Sequence, residues 1–225
     1  KIPNSIFQNH KRCMVPAGMA NAIRKIQDHG SNYSYTFYDD ETSRQYIAKH
    51  YPSALEAFDT LIPGAYKSDL FRIIRLYVEG GVYFDAPFSP YDSALKLDQL
   101  LKPTDTFVSA NDRGHGLYNA FMASVPKHPI LKVGIDTLLN NVYSRFYGST
   151  VLHITGPTMF KTVFKILHIG SCKKYNGRLG NGIRLFEHID NTLSYQGKIQ
   201  YSLRYPVYEQ DRMRFWSDTP HYTTF

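Results

Sequence analysis

Apolar residues recur at helical spacing from Tyr66 to Val78, where Leu70, Ile73, Ile74, Tyr77 and Val78 follow the i, i+3, i+4, i+7 rule. Gly80-Gly81 breaks that period, and Val82-Tyr83-Phe84 follows as an unbroken apolar run, the pattern of a buried strand. Upstream, Ile2 to Gln8 reads as a short strand. Pro16 to His29 reads as a helix with Met19, Ala22, Ile23 and Ile26 on one face, closed by Gly30. Tyr33 to Tyr38 alternates aromatic and small polar residues as a strand does, stops at Asp39-Asp40, and gives way to a polar helix from Glu41 to His50. Downstream the pattern predicts strands at Thr106 to Ala110 and Tyr118 to Ser124, then helices at Pro129 to Tyr143 and Gly156 to Leu167. Beyond Gly170 it reads as loops and short strands such as Ile183 to Phe186. Strands alternating with helices predict an α/β fold. With no repeat and no long linker, one domain is expected over residues 1–225.

The 43% hydrophobic fraction of these 225 residues supplies a sizeable core and excludes a disordered or fibrous chain. Basic residues exceed acidic ones by 26 − 19 = 7, so an anionic partner is expected: a nucleotide, a nucleic acid or a lipid headgroup. The 18 Tyr suit contact with sugars or bases as well as core packing. Cys13 and Cys172 lie far apart, which supports neither a zinc ribbon nor a disulfide-dense scaffold; they read most simply as unpaired packing residues, with one disulfide as the alternative. Lys161 and Lys165 interrupt even the apolar stretch Met159 to Ile169, so no membrane span is expected. Because the chain opens on Lys1, a preceding segment is expected, with room for a signal or anchor.

Candidate chemistry gathers where the helical stripe meets the apolar strand. Asp69 and Arg72 are three apart and share a helix face away from Leu70, Ile73 and Ile74. Alone they would read as an ordinary surface ion pair. Asp85 follows the apolar strand, and the carboxyl ends of strands in α/β sheets are where ligands bind. Taken singly it could be only a turn starter before Ala86-Pro87.

The chain resembles the DXD-containing sugar transferases of glycosyltransferase family 32. The resemblance runs from Ile2 to Pro157: the opening IPxxIxQ, the Tyr-rich second strand before Asp39-Asp40, the block SDxxR followed by LYxxGGVYxD, the segment Asn119 to Met122, and Thr155-Gly156-Pro157. It implies a GT-A-type fold, a mixed central sheet flanked by helices, that binds a nucleotide diphosphate sugar and moves a hexose or N-acetylhexosamine with retained anomeric configuration. UDP-sugars are the favoured donors, with GDP-mannose as an option. The acceptor would be a glycan, glycolipid or glycoprotein, peripheral membrane association is allowed, and no nucleic-acid partner is expected.

On that resemblance Asp69 and Arg72 match positions that bind the donor sugar, and Arg72 could also face the pyrophosphate. Phe7 and Gln8 would meet the base, Gly80-Gly81 belong to the donor-binding block, and Asn119 would orient the sugar or steady charge at the anomeric carbon. Asp85 matches the first aspartate of the motif and acts at the reaction centre. A divalent ion, Mn²⁺ or Mg²⁺, would sit on Asp85 with His221, although Pro87 stands where the second acid is expected. Lys67, Arg75, Lys173, Lys174 and Arg178 are cations that could replace the ion. Asp39 and Asp40 read first as helix caps, and Thr155-Gly156-Pro157 as either a helix start or a substrate loop. Trp216 could stack on a sugar or base or staple the tail to the core, and His221 and Tyr222 could close the nucleotide site or belong to a disordered end. Pro87 keeps open a nucleotide-sugar or carbohydrate binder without catalysis, and the charge a nucleic-acid binder. The expected setting is the cytoplasm of a bacterium or a virus-encoded enzyme, with the Golgi lumen as the alternative if an anchor precedes Lys1.

Overall fold

The computed structural model describes residues 1–112, 116–169, 177–204 and 221–222. Its first half alternates strands and helices: β1 (Ser5–Asn9), α1 (Ala17–His29), β2 (Ser34–Tyr38), α2 (Asp40–His50), α3 (Leu55–Thr60), α4 (Gly64–Glu79) and β3 (Gly81–Phe84). There follow β4 (Ser89–Pro90), α5 (Leu97–Leu100), β5 (Phe107–Asn111), β6 (Leu117–Ser124), α6 (Pro129–Tyr143) and α7 (Met159–Ile166). The chain then returns to strands with β7 (Gly177–Gly180), β8 (Ile183–Ile189), β9 (Thr192–Tyr195) and β10 (Lys198–Ser202).

The ten strands among the described residues join one mixed sheet in the order β2-β1-β3-β6-β5-β8-β9-β10-β4, with β7 paired to β8. β2, β1 and β3 run parallel to one another. β6 is antiparallel to both β3 and β5, and β8 is parallel to β5. The carboxyl ends of β1, β2, β3, β5 and β8 therefore emerge on one edge, together with the start of β6. That edge holds Asn9, Asp39, Asp85, Asp112 and His188 within a few residues of their strand ends, so topology collects polar groups that are distant in sequence.

Side-chain alternation along the strands divides the core into two layers. Phe7, Tyr83, Phe107, Met122 and Leu185 pack under the helical layer of α2, α3, α4, α6 and α7. Ile6, Val82, Phe84, Val108 and Phe121 face the other way, onto Ile26 of α1, Leu97 of α5 and Tyr201 of β10. Helix α4 runs through the first layer, and every residue from Asp69 to Leu76 is buried, including both arginines. Tyr77 and Val78, core positions by periodicity, are only partly buried at its end.

The glycine pair after α4 shapes the entry into β3. Gly80 adopts φ 70° and ψ −159°, a region open to glycine and little else, and a Cβ there would lie 2.7 Å from the Ser124 carbonyl oxygen and 2.8 Å from Pro126. Gly80→Ala is expected to cost about 2–4 kcal/mol, seen as a melting temperature lower by roughly 4–16 °C. An unchanged melt would show that the turn can relax.

The C-terminal strands are more regular than their sequence suggests. Asp190-Asn191 joins β8 to β9 and Gln196-Gly197 joins β9 to β10, each pair with positive φ at both residues, as in two-residue hairpins of the type that matches strand twist.

Candidate functional site

Helix α4 presents Asp69 and Arg72 toward the sheet edge where β3 delivers Asp85. The Arg72 guanidinium lies between the two carboxylates, its Nη2 3.3 Å from Asp69 Oδ1 and 3.1 Å from Asp85 Oδ1. The remaining guanidinium contacts fix its plane. Nε donates to the Ser68 carbonyl at 3.2 Å, Nη1 to the Asn119 carbonyl at 2.9 Å, and Nη2 to Ser68 Oγ at 2.8 Å. The cation also stacks over the Tyr83 ring, 4.5 Å from its centroid.

Each carboxylate is held a second time from elsewhere in the chain. The Asn119 amide donates to Asp69 Oδ1 at 2.9 Å, and the Thr155 hydroxyl to Asp69 Oδ2 at 2.6 Å. The Tyr83 hydroxyl lies 2.6 Å from Asp85 Oδ1 and 2.8 Å from Asn9 Oδ1, which also accepts from Ser68 Oγ at 2.8 Å. Asp85 is further fixed by its backbone: its N–H donates to the Ala120 carbonyl, and its own carbonyl accepts from Phe88 N–H and from the Gln8 amide. Around this network lies a hollow of about 180 Å³, walled by Asp69, Arg72, Asp85, Tyr118 and Asn119 on one side and by Val151, Leu152, Gly156 and Pro157 on the other. Sites for drug-sized ligands run to about 300–1,000 Å³, so this one suits a single sugar ring.

One guanidinium between two carboxylates leaves the hollow one negative charge in excess when all three are ionised. Burial drives the Asp69 carboxyl up to about 6, a rise only partly offset by Arg72 and by the hydrogen bonds from Thr155 and Asn119. Burial would lower the Arg72 pKa, but Asp85, Tyr83 and Asp69 outweigh it and hold the guanidinium charged. Since Asp69 titrates higher folded than unfolded, its contribution to stability is full below about pH 4 and is lost as pH rises through about 6. In chemical denaturation the stability of the native protein relative to Asp69→Asn is expected to fall by on the order of 3 kcal/mol between pH 4 and pH 7. A difference independent of pH would place the Asp69 titration elsewhere.

Of the residues picked out from sequence, Asp69, Arg72, Asp85 and Asn119 converge here, and Thr155, Gly156 and Pro157 join them. Others do not. Phe7 is fully buried between Tyr38, Phe71 and Tyr83, so its ring has no face for a base. Gln8 is also fully buried; it braces Asp85 and accepts from the Tyr35 hydroxyl at 2.9 Å. Gly80 and Gly81 are buried in the turn and act through its shape. Arg72 has its N–H groups turned inward rather than toward a pyrophosphate. Arg75 pairs with Glu79 at 2.9 Å and lies over the Phe7 ring, a structural role. Lys67 sits over Phe58, and Asp39 caps α2. Lys173, Lys174, Cys172 and Trp216 lie outside the described residues.

Sequence reasoning passed over a second polar group on the same edge. His188 Nδ1, at the end of β8, lies 2.9 Å from Asp112 Oδ1, just past β5, and its ring stacks on Tyr118 at 4.0 Å between centroids. Tyr118 in turn walls the hollow. The rule that singled out Asp85, an acid following a strand in an α/β pattern, would also have found Asp112.

Residues 16–106 match the family described as the glycosyltransferase sugar-binding region containing a DXD motif. Over these residues the chain is similar to a DXD-type glycosyltransferase sugar-binding region. It is 29% identical over 212 residues to inositol phosphoceramide mannosyltransferase 2 of Schizosaccharomyces pombe, an alignment covering 92% of this chain and 57% of that protein. It is 27% identical over 196 residues to mannosyl phosphorylinositol ceramide synthase CSH1 of Saccharomyces cerevisiae, covering 84% and 48%. The chain thus spans about half the length of these curated relatives. Among solved structures, the PaToxG glycosyltransferase matches with a TM-score of 0.57 at 15% identity, over 76% of this chain and 71% of that one. The ligand-free glycosyltransferase domain of the YGT toxin matches with a TM-score of 0.50 at 10% identity, over 74% and 78%. These likenesses establish the GT-A-type fold. The expected cytoplasmic setting in a bacterium or virus is corrected: the relatives are yeast proteins named for action on a ceramide lipid, neither bacterial nor viral.

Among the described residues the expected metal donors do not assemble at this site. Pro87 has no side-chain ligand atom, and Asp85 Oδ1 is already engaged by Arg72 and Tyr83. His221 packs against Tyr66 and Tyr147 with ring centroids 5.4 Å from each; burial lowers its pKa, and it does not wall the hollow. Among the described residues no three His, Cys, Asp or Glu side chains gather to hold an ion. The residues present do not fit a resident Mn²⁺ or Mg²⁺ site built on Asp85 and His221.

Proposed function

We propose that the chain transfers mannose from a nucleotide diphosphate mannose to a glycolipid acceptor of the inositol phosphoceramide class, with retention of anomeric configuration. The observation that carries this reading is the convergence of Asp69, Arg72 and Asp85 on a hollow the size of one sugar ring, at the edge where an α/β sheet binds ligands. The relatives' names supply the sugar and the acceptor class, and move the donor from the UDP-sugars favoured by sequence toward GDP-mannose.

The chemistry follows from the charge balance. Asp69 accepts hydrogen bonds from sugar hydroxyls, and Arg72 holds both carboxylates in register. As the bond from the anomeric carbon to the diphosphate oxygen breaks, its electron pair leaves with the diphosphate and positive charge grows on the ring. The excess negative charge of the hollow, with Asp85 as its most exposed carboxylate, stabilises that charge. The acceptor hydroxyl attacks from the face the diphosphate is leaving and gives its proton to a diphosphate oxygen, so no second carboxylate is needed as base. Asn119 holds Asp69 through its amide and Arg72 through its carbonyl.

The test is incubation with GDP-mannose, UDP-glucose and UDP-N-acetylglucosamine, with and without an inositol phosphoceramide acceptor. Release of GDP and mannosylation of the lipid are expected; turnover of none of these donors would overturn the reading. Pro87 favours one second reading, a protein that binds the donor without turning it over. Thermal protection by GDP-mannose with no GDP release would establish that instead.

A further inference from the structure

The mouth of the hollow is bordered by side chains that the chemistry above does not use. Phe146 and Tyr147, just beyond α6, are 43% and 56% exposed, and Ile62 is 38% exposed. Contacts link them into one surface. The Ile62 N–H donates to the His221 carbonyl at 3.1 Å, the His221 ring lies 5.4 Å from the Tyr147 ring, and the Tyr222 hydroxyl donates to the Phe146 carbonyl at 2.7 Å. The surface meets the hollow through Tyr66, whose ring is 5.4 Å from that of His221 and whose hydroxyl donates to the carbonyl of Val151; both residues wall the cavity.

Cations lie along the same border. Lys11 packs over Gly64, two residues beyond Ile62, and is followed by exposed Arg12 and by Met14, which is 84% exposed. Arg145 sits 5.2 Å from the Tyr222 ring, beside Phe146. Exposed aromatic and aliphatic side chains interleaved with Lys and Arg form the composition that seats a protein on an anionic bilayer: rings and chains enter the headgroup region while the cations meet its negative charge. Among the described residues no helix is long and apolar enough to cross a membrane, so seating of this kind would be peripheral.

We infer that the face formed by Lys11, Arg12, Met14, Ile62, Phe146 and Tyr147 docks on an anionic lipid surface, turning the mouth of the hollow toward a membrane-embedded acceptor. The inference rests on the proposed reading that the acceptor is a glycolipid. An acceptor whose headgroup stays at the bilayer surface is then presented to the donor without leaving the membrane.

The full chain should co-sediment with phosphatidylcholine vesicles containing phosphatidylinositol, more weakly with pure phosphatidylcholine, and less as salt is raised. Phe146→Ser with Tyr147→Ser should weaken partitioning about tenfold, and Lys11→Glu with Arg12→Glu at least about twentyfold. Ile199→Ser, on the far strand β10, should leave it unchanged. Hydrolysis of GDP-mannose in the absence of lipid should be the same in all these proteins, since none of the altered residues walls the hollow. Wild-type protein that ignores both vesicle types, the face then belonging to a protein partner, or paired variants that sediment as wild type does, would overturn the inference. Vesicle binding without GDP-mannose turnover would instead count against the proposed activity alone.

Discussion

Arg72→Met is expected to lower the melting temperature by roughly 6–20 °C at neutral pH. The substitution removes the one guanidinium that sits between Asp69 and Asp85 and leaves two carboxylates, one of them buried, without their cation. Breaking a buried pair by deleting one partner costs about 3–5 kcal/mol, and in a chain of this size each kcal/mol is worth about 2–4 °C. Arg72→Lys should fall between, since an ammonium restores the charge but cannot reach Ser68, Asn119 and both carboxylates at once. The loss from Arg72→Met should shrink at pH 5, where Asp69, which titrates at about 6, is largely protonated. Thermal melts of the three proteins at pH 5 and pH 7 check this. A methionine variant that melts with the wild type would mean that Arg72 does not hold the site together.

Asp85→Asn should do the opposite, stripping activity while sparing the fold. Its carboxylate is one-third exposed, Arg72 retains Asp69 and Ser68, and the Tyr83 hydroxyl retains Asn9. The melting temperature should move by no more than about 2 °C, whereas kcat/KM for mannosyl transfer should drop about 100-fold or more, the usual scale for removing a group aimed at charge that develops in the transition state. Full activity in the asparagine variant would remove Asp85 from the chemistry.

What could be read from the sequence was local. The spacing that puts Asp69 and Arg72 on one face of α4, the Gly-Gly turn and the apolar strand ending at Asp85 all fall within 17 consecutive residues, from 69 to 85. The second ring of contacts was hidden because it is long-range. Thr155 is 86 positions from Asp69, Asn9 is 74 from Tyr83, and His188 is 76 from Asp112. The last two pairs meet because parallel strands bring their carboxyl ends to one edge, and Thr155 reaches α4 from the loop ahead of α7; no pattern within a window encodes either. Phe7 was misassigned for a related reason. The resemblance placed it against a base, but the alternation of β1 turns its ring under the helical layer, against Phe71 and Tyr83. The hairpins of the C-terminal region were written in Asp-Asn and Gln-Gly pairs, short signals easily lost in a polar stretch.

The most direct measurement is a structure of the full chain with GDP-mannose bound. The mannose ring is expected between Asp69, Asp85 and Asn119, with at least one sugar hydroxyl within hydrogen-bond distance of the Asp69 carboxylate. A sugar seated elsewhere on the protein, with those three side chains keeping only one another for company, would contradict the account.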